Sequence, residues 1–91
     1  MTRATDVCQH IDDLPPNVTA TTPDGCEECL AHGEHNWAHL RICLACGHVG
    51  CCDSSPHKHA TGHFNSTAHP VMRSYEPGES WRWCYVDERL V

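Results

Sequence analysis

The sequence predicts a small α+β domain with one main helix and a short twisted antiparallel sheet, in which bound metal replaces part of a hydrophobic core. The chain has 91 residues, and its one Phe, three Trp and two Tyr provide little aromatic mass for a core. It is rich in soft metal ligands, with eight Cys and nine His. Segments with strand-like patterns precede and follow one segment with a helix start. Because structural zinc couples about 10 kcal/mol or more of binding to folding, we expect the metal-free chain to be largely unfolded.

Potential zinc ligands are concentrated in residues 26–69. Two Cys-x2-Cys pairs can each supply two thiolates to one ion, and a further Cys and three His follow them. One such pair alone could be redox-active or accidental, whereas two pairs with nearby histidines are typical of structural zinc. The ligands in this stretch are Cys26, Cys29, Cys43, Cys46, Cys51, His59, His63 and His69.

Eight cysteines in a short chain are also found in disulfide-linked secreted domains. Residues 1–6, however, lack the apolar run of a signal peptide. No later stretch approaches the ~20 apolar residues of a membrane span. We therefore expect a cytoplasmic protein with reduced, metal-binding thiols and no membrane association.

The charge of the chain argues against nucleic-acid binding. Its formal net charge is -6, from 6 basic and 12 acidic residues. Three zinc ions held by seven thiolates would change this to about -7. Since neutralisation of phosphates dominates affinity for nucleic acids, an acidic domain with scattered basic residues is a poor candidate for such a role.

The first half of the chain predicts a loop, a helical turn and a strand. Residues 1–7 are polar and are expected to be a flexible N-terminus, followed by a single domain over residues 8–91. Prolines and a final Asp-Gly predict a loop over residues 14–25. Residues 26–31 can form one helical turn that ends near Gly33. Residues 40–44 alternate like a strand, and the following Ala-Cys-Gly resembles a zinc-knuckle turn in which Gly47 supplies a positive φ.

The second half predicts the main helix and two strands. Ser55 is the expected N-cap and Pro56 the first helical residue. A helix from there to about residue 66 places His59 and His63 on one face, one turn apart. After it, residues 71–75 and 81–86 predict strands around a turn at residues 76–79.

The order of the ligands resembles the zinc-finger UBP domain, which is found in ubiquitin-specific proteases, a histone deacetylase and an E3 ligase. The resemblance covers residues 8–88, and its most specific motif is Cys43-Leu-Ala-Cys-Gly-His-Val-Gly-Cys51. The runs at residues 51–56 and 83–88 are more closely similar to the stand-alone bacterial versions of this domain. The resemblance implies a zinc-stabilised fold with interleaved zinc sites.

Transferred to this chain, the family's pairing implies three sites. The third would join residues near the two ends of the chain, and it has Asp87 where the family generally has a cysteine. A carboxylate is an acceptable zinc ligand, so two or three ions are expected, with three favoured. The implied ligand sets are Cys26, Cys29, Cys51 and His59; Cys43, Cys46, His63 and His69; and Cys8, His10, Cys84 and Asp87.

Several Cys and His residues fall outside these sets. Cys52 is expected to be a small buried residue, because adjacent residues cannot easily both reach one ion. The alternative is an exchange in which Cys52 binds the metal and Cys51 does not. The remaining histidines occur in polar or loop contexts and are expected to face solvent, although His57 lies close enough to the helix start to compete with His59. They are His32, His35, His39, His48 and His57.

The resemblance also implies a site for a protein ligand. In the family, a pocket with aromatic walls captures the C-terminal Gly-Gly of ubiquitin, and an arginine pairs with its carboxylate. Trp83 and Tyr85 match the aromatic positions, whereas Asp53 replaces the arginine and Arg41 replaces a further aromatic residue. Arg41 could take over the carboxylate, or it could pair with Asp53 and close the pocket. Trp83 and Tyr85 could alternatively serve only as core packing.

We therefore expect a monomeric, zinc-dependent module that binds an unknown protein or peptide C-terminus, with ubiquitin itself disfavoured as the ligand. The chain is not expected to be an enzyme. Its two clearest metal sites have four protein ligands each and no open position, and the sequence contains no His-Glu-x-x-His or Gly-x-Ser-x-Gly motif. Zinc storage or exchange, or purely structural metal binding, is the alternative function.

Overall fold

The computed structural model describes residues 9–11 and 14–91. Within them, five short strands form one antiparallel sheet in the order β2-β1-β3-β4-β5. The strands are β1 (Leu40–Cys43), β2 (Val49–Cys51), β3 (Val71–Ser74), β4 (Arg82–Cys84) and β5 (Arg89–Leu90). A 3-10 helix (Gln9–Ile11), a short helix α1 (Glu27–Ala31) and the main helix α2 (His59–Thr67) complete the described elements. The α+β class with one main helix is confirmed. The predicted flexible N-terminus, residues 1–7, lies outside the described residues.

A tight turn joins β1 to β2 and aligns the metal ligands around it. Cys43 donates its backbone N–H to the His48 carbonyl at 2.8 Å, and Gly47 donates to the Cys43 carbonyl at 2.8 Å. Gly47 has φ +85, and a Cβ at this position would collide with the Thr19 carbonyl. Glycine is therefore required here both by backbone conformation and by space, which confirms the predicted knuckle.

The buried residues of the sheet lie mainly on one face. Leu40, Ile42 and Val49 form a cluster with three cysteines at the start of α1 and in β2, and Trp37 packs against it. A second cluster contains Val71 and Cys84. Because much of this interior is cysteine sulfur, the fold depends on what those sulfurs bind.

The main helix crosses the other face of the sheet at close range. A Cβ on Gly50 would lie 2.6 Å from the backbone nitrogen of Ala60, so only glycine in β2 allows the helix this near. The approach brings the first residues of α2 beside the cysteines of α1 and β2.

The predicted start of this helix is wrong. α2 begins at His59, after Lys58, which adopts a left-handed conformation (φ 53) and makes no side-chain cap hydrogen bond. Ser55, the expected N-cap, is buried, and its Oγ accepts a hydrogen bond from the Ala38 backbone N–H at 2.8 Å. The Ser-Ser-Pro segment is thus a loop fastened to the core. β2 and β5, two or three residues long, were not predicted as strands.

No helix in the described part of the chain is long and apolar enough to cross a membrane.

Candidate metal centres and binding cleft

The first cluster of potential ligands joins α1, β2 and the start of α2. His59 Nδ1 lies 3.2 Å from Cys26 Sγ, 3.4 Å from Cys29 Sγ and 3.6 Å from Cys51 Sγ. With Zn–S bonds of about 2.3 Å and Zn–N bonds of about 2.05 Å, tetrahedral geometry gives S···N separations of about 3.6 Å. The donor atoms therefore fit one zinc ion. The four residues are Cys26, Cys29, Cys51 and His59.

Backbone N–H groups point at two of these sulfurs. Cys29 donates to Cys26 Sγ at 3.5 Å, and His59 donates to Cys51 Sγ at 3.2 Å. Such donors favour thiolate over thiol. Burial opposes them: together with the neighbouring sulfurs of Cys26 and Cys51, it raises the pKa of Cys29 to about 12. A divalent cation among the sulfurs would offset this cost and keep them ionised.

The second cluster lies on the other side of the β1–β2 turn. Cys43 Sγ is 3.5 Å from His69 Nδ1, Cys46 Sγ is 3.4 Å from His63 Nε2, and the two histidine nitrogens are 3.3 Å apart. Tetrahedral zinc requires about 3.3 Å between two ligating nitrogens, so this set also fits one ion. Burial, followed by the charges of His48 and His69, lowers the pKa of His63, which favours the neutral form that binds metals. The four residues are Cys43, Cys46, His63 and His69.

The two clusters are interleaved through α2. His59 belongs to the first cluster and His63, one helical turn later, belongs to the second. The clusters differ in exposure, because all three cysteines of the first are buried whereas Cys46 of the second is exposed. The second cluster is thus the more accessible of the two.

A third group lies where the 3-10 helix meets the far side of the sheet. His10 Nδ1 is 3.4 Å from Cys84 Sγ and 3.5 Å from Asp87 Oδ2, and the Asp87 backbone N–H donates to Cys84 Sγ at 3.4 Å. These separations suit a zinc ion held by nitrogen, sulfur and carboxylate oxygen. The fourth predicted member, Cys8, lies outside the described residues.

Cys51 and Cys52 have separate environments. Cys51 joins the first cluster, whereas Cys52 Sγ lies 3.6 Å from Ser55 Oγ and belongs to none of the three groups. Cys52 is 6% exposed, as expected for a small buried residue. The arrangement supports Cys51 as the ligand and not the exchange.

His48 contradicts the expectation that the remaining histidines face solvent. It is 7% exposed, and its Nε2 lies 2.8 and 2.9 Å from the two carboxylate oxygens of Glu28. Its ring also stacks on His63, with centroids 4.0 Å apart and planes 2° apart. In sequence, Glu28 lies between Cys26 and Cys29 of the first cluster, so His48 connects the two clusters. The position of His48 in sequence, between the candidate ligands Cys46 and Cys51, is the signal that could have revealed this.

His57 does not compete with His59 for the first cluster. Its Nε2 lies 2.6 Å from Glu34 Oε1 at the surface, and its ring stacks beside that of His59 at a centroid distance of 5.3 Å.

A cleft of about 470 Å³ opens between the sheet and α2. All four residues predicted to bind a peptide line it: Trp83, Tyr85, Arg41 and Asp53. Phe64 and Trp81 also line the cleft, so it gathers four of the six aromatic residues of the chain. These aromatics form its walls, and none belongs to the buried core clusters.

The charged residues of the cleft are engaged separately. The Arg41 guanidinium lies 4.6 Å from the centroid of the Trp81 ring and donates to the Leu40 carbonyl at 2.9 Å. Asp53 Oδ1 accepts a hydrogen bond from the Thr61 hydroxyl at 2.6 Å. Arg41 and Asp53 do not form an ion pair with each other in the described part of the chain. The alternative in which this pair closes the pocket therefore does not apply to this structure.

β4 and the residue that follows it contribute to both the cleft and the third group. Trp83 and Tyr85 line the cleft, whereas Cys84 between them is fully buried on the other side of the sheet and faces His10. Tyr85 stacks on Phe64 of α2, with centroids 4.7 Å apart. Burial raises the pKa of Tyr85, so its hydroxyl stays neutral near neutral pH.

Known proteins share this sequence pattern and this fold. The zf-UBP family, described as "Zn-finger in ubiquitin-hydrolases and other protein", matches residues 26–91. The solution NMR structure of protein RPA1320 from Rhodopseudomonas palustris superposes with a TM-score of 0.83 at 54% identity, covering 99% of this chain and 82% of that one. The NAD-dependent deacetylase sir2A of Dictyostelium discoideum is 35% identical over 66 residues, which are 72% of this chain but 11% of that much longer protein. The chain belongs to the zf-UBP family of zinc fingers.

Proposed function

We propose that this zinc-binding domain is a recognition module that binds the C-terminal segment of a partner protein in the cleft between its sheet and α2. The observation that carries the proposal is the placement of four of the six aromatic residues around an open cleft, in a chain whose interior is built from aliphatic residues and cysteines. Concave aromatic walls with a few polar groups are typical of ligand sites.

Zinc supports this role structurally. The ligands proposed for the first two ions are the two complete clusters, and those for the third are His10, Cys84 and Asp87 together with Cys8. Four protein ligands leave a zinc ion no open position for water or substrate, so the first two ions serve the fold and not catalysis. Their chemical contribution is to hold α1, the β1–β2 turn and α2 in the arrangement that forms one side of the cleft.

Arg41 is the proposed partner of the terminal carboxylate. It is the only cationic side chain among the residues that line the cleft, and its position over Trp81 holds the guanidinium at the cleft wall. Asp53, which lines the same cleft, repels a carboxylate placed close to it. The mixed charge supports a ligand other than ubiquitin.

The test is a titration of the zinc-loaded protein with short peptides that end in a free carboxylate or in an amide. The natural protein should bind the free-acid peptide at least about tenfold more tightly than the amide, because a hydrogen bond to a charged group contributes roughly 1.5–3 kcal/mol. Arg41→Gln should abolish that preference. Arg73→Gln is the matched control, since Arg73 lies on the neighbouring strand but does not line the cleft. Equal affinity for both peptide forms, with no spectral change at Trp83, Tyr85 or Arg41, would overturn the proposal.

One observation favours zinc exchange as a second function. Cys46 is exposed, which gives another protein's thiol access to the second cluster. Slow zinc release to a competing chelator from every cluster would argue against this role, whereas rapid release from the second cluster alone would support it.

A further inference from the structure

We infer that Glu28 and His48 couple the two complete metal clusters, so that an ion bound in the first cluster raises the affinity of the second for its ion. Neither residue belongs to any of the three groups of candidate ligands, so both act by positioning residues that do. The inference concerns the metal sites alone and is independent of the proposed peptide ligand.

Glu28 is held in place by the first cluster. It lies in α1, whose N-cap is Cys26, and the Cys26 sulfur accepts the backbone N–H of Cys29. Glu28 Oε1 lies 3.8 Å from the same sulfur. With five residues, α1 is too short to be stable as an isolated helix. An ion shared by Cys26 and Cys29 closes this turn, and it thereby fixes the backbone from which Glu28 extends.

His48 extends this link to the second cluster. Its Nε2 lies 2.8 and 2.9 Å from the two carboxylate oxygens of Glu28, and its ring is almost fully buried. That ring lies parallel to the His63 ring, with centroids 4.0 Å apart. The backbone of β2 confines it further, since a Cβ on Gly50 would lie 3.0 Å from His48 Cε1. His48 therefore has little room to move independently of Glu28 and His63.

The stack controls the orientation of a candidate ligand. Rotation about χ2 of a histidine is only weakly restricted, so a ring without neighbours samples a broad range of directions. Stacking on His48 restricts His63 to an orientation in which its Nε2 lies 3.4 Å from Cys46 Sγ and 3.3 Å from His69 Nδ1. Those separations suit a tetrahedral zinc ion. Removing residues that orient ligating histidines typically reduces metal affinity about 10–100-fold.

Ordering one cluster therefore lowers the cost of ordering the other. An ion in the first cluster orders Glu28 and, through it, His48 and His63, so the second ion binds ligands that have already lost conformational entropy. By reciprocity, an ion in the second cluster raises the affinity of the first by the same factor. The cysteines of the first cluster are buried, whereas Cys46 of the second is exposed. Release of zinc from the exposed cluster thus depends on whether the buried one is filled.

His57 provides an internal control. Its ring stacks beside that of His59 at a centroid distance of 5.3 Å, and its Nε2 lies 2.6 Å from Glu34 Oε1. It thus resembles His48 in contacting both a candidate ligand and a glutamate. In the described part of the chain, however, this pair forms no hydrogen bond or ring contact with the second cluster. His57→Phe therefore removes the same kind of contact without breaking a link between clusters.

The experiment measures how fully each cluster is occupied as free zinc is raised in a chelator buffer. The full chain carries isotope-labelled histidine, so that the ring signals of His59 and His63 report the two clusters separately in NMR spectra. The free-zinc concentration that half-fills each cluster is compared between the natural protein and its variants. These are Glu28→Ala, His48→Phe, the double variant, Glu28→Gln, which keeps a hydrogen-bond acceptor, and the control His57→Phe.

The first cluster, with three buried thiols, should fill before the second. Glu28→Ala and His48→Phe should each raise the half-filling concentration of the second cluster about fivefold or more relative to that of the first. The double variant should have no larger effect than His48→Phe alone, because the two side chains act in series. Glu28→Gln should preserve most of the coupling, and His57→Phe should leave the separation between the two clusters unchanged.

Three results would overturn the inference. Half-filling concentrations that move together in every variant would show that Glu28 and His48 only stabilise the fold. A shift caused by His48→Phe but not by Glu28→Ala would show that His48 supports the second cluster without reporting on the first. Additive shifts in the double variant would show that the two side chains act independently. Since no peptide is present, none of these results bears on the proposed function.

Discussion

Replacing Cys51 and Cys52 by alanine, one at a time, compares two adjacent buried cysteines whose loss should destabilise the protein to very different extents. Cys51 Sγ lies 3.6 Å from His59 Nδ1 in the first cluster and accepts the His59 backbone N–H. A structural zinc contributes about 10–16 kcal/mol of binding free energy, as much as the ~5–15 kcal/mol that stabilises a whole small domain. Cys51→Ala should therefore lose one zinc ion and most of its folded population.

Cys52→Ala removes only the contact of its sulfur with Ser55 and leaves all three metal groups complete. The expected cost is about 1 kcal/mol, or a fall in melting temperature of roughly 4–8 °C. Native mass spectrometry counts the bound zinc, and circular dichroism follows unfolding with and without a chelator. A Cys52→Ala protein that lacks one zinc, beside a Cys51→Ala protein with the full complement, would refute the assignment of Cys51 as the ligand.

Four further predictions concern the metal groups and the cleft. Asp87→Ala should reduce the zinc count from three to two in native mass spectra, and Asp87→Cys should restore it. His48→Phe should lower the free energy of unfolding by about 1–3 kcal/mol in denaturant titrations while zinc stays bound, because it leaves the Glu28 carboxylate without its buried donor; Glu28→Gln, which can still accept a hydrogen bond, should cost less. Zinc must displace the proton of Cys29, since burial raises the pKa of that thiol to about 12. The affinity for zinc, measured by competition with a chelator, should therefore fall from pH 8 to pH 6. The fall should be steeper for the first cluster, which has three thiols, than for the second, which has two. Asp53→Arg should increase affinity for free-carboxylate peptides about tenfold by calorimetry, because it replaces a repulsive charge by an attractive one.

The metal groups were the most predictable part of the structure, because the ligand types and their spacing are themselves the sequence signal. Cys-x2-Cys brings two sulfurs to one ion, and histidines four residues apart share a helix face. The pairing of clusters followed from the family resemblance, and the structure brings the first two sets of four together. Cys8 remains a prediction, since it lies outside the described residues.

The local errors arose where tertiary contacts override local preferences. Ser55 has a side chain typical of an N-cap, but its hydroxyl oxygen accepts a hydrogen bond from the Ala38 backbone N–H, and the helix starts at His59. His48 has a polar neighbourhood in sequence, yet Glu28, twenty positions away, makes its burial possible. β5 has only two residues, which is too short for a periodic pattern to reveal.

Under the proposed function, the alternation of Trp83, Cys84 and Tyr85 would couple partner binding to metal binding. Cys84 faces His10 and the third group, while its two neighbours form walls of the cleft on the opposite side of the sheet. Loss of metal from that group would remove a constraint on β4, which positions both walls. By thermodynamic reciprocity, a partner bound against those walls would raise the affinity of the third group for its ion. In a zinc-starved cell, the molecules that retain their partner would then be the last to surrender this metal.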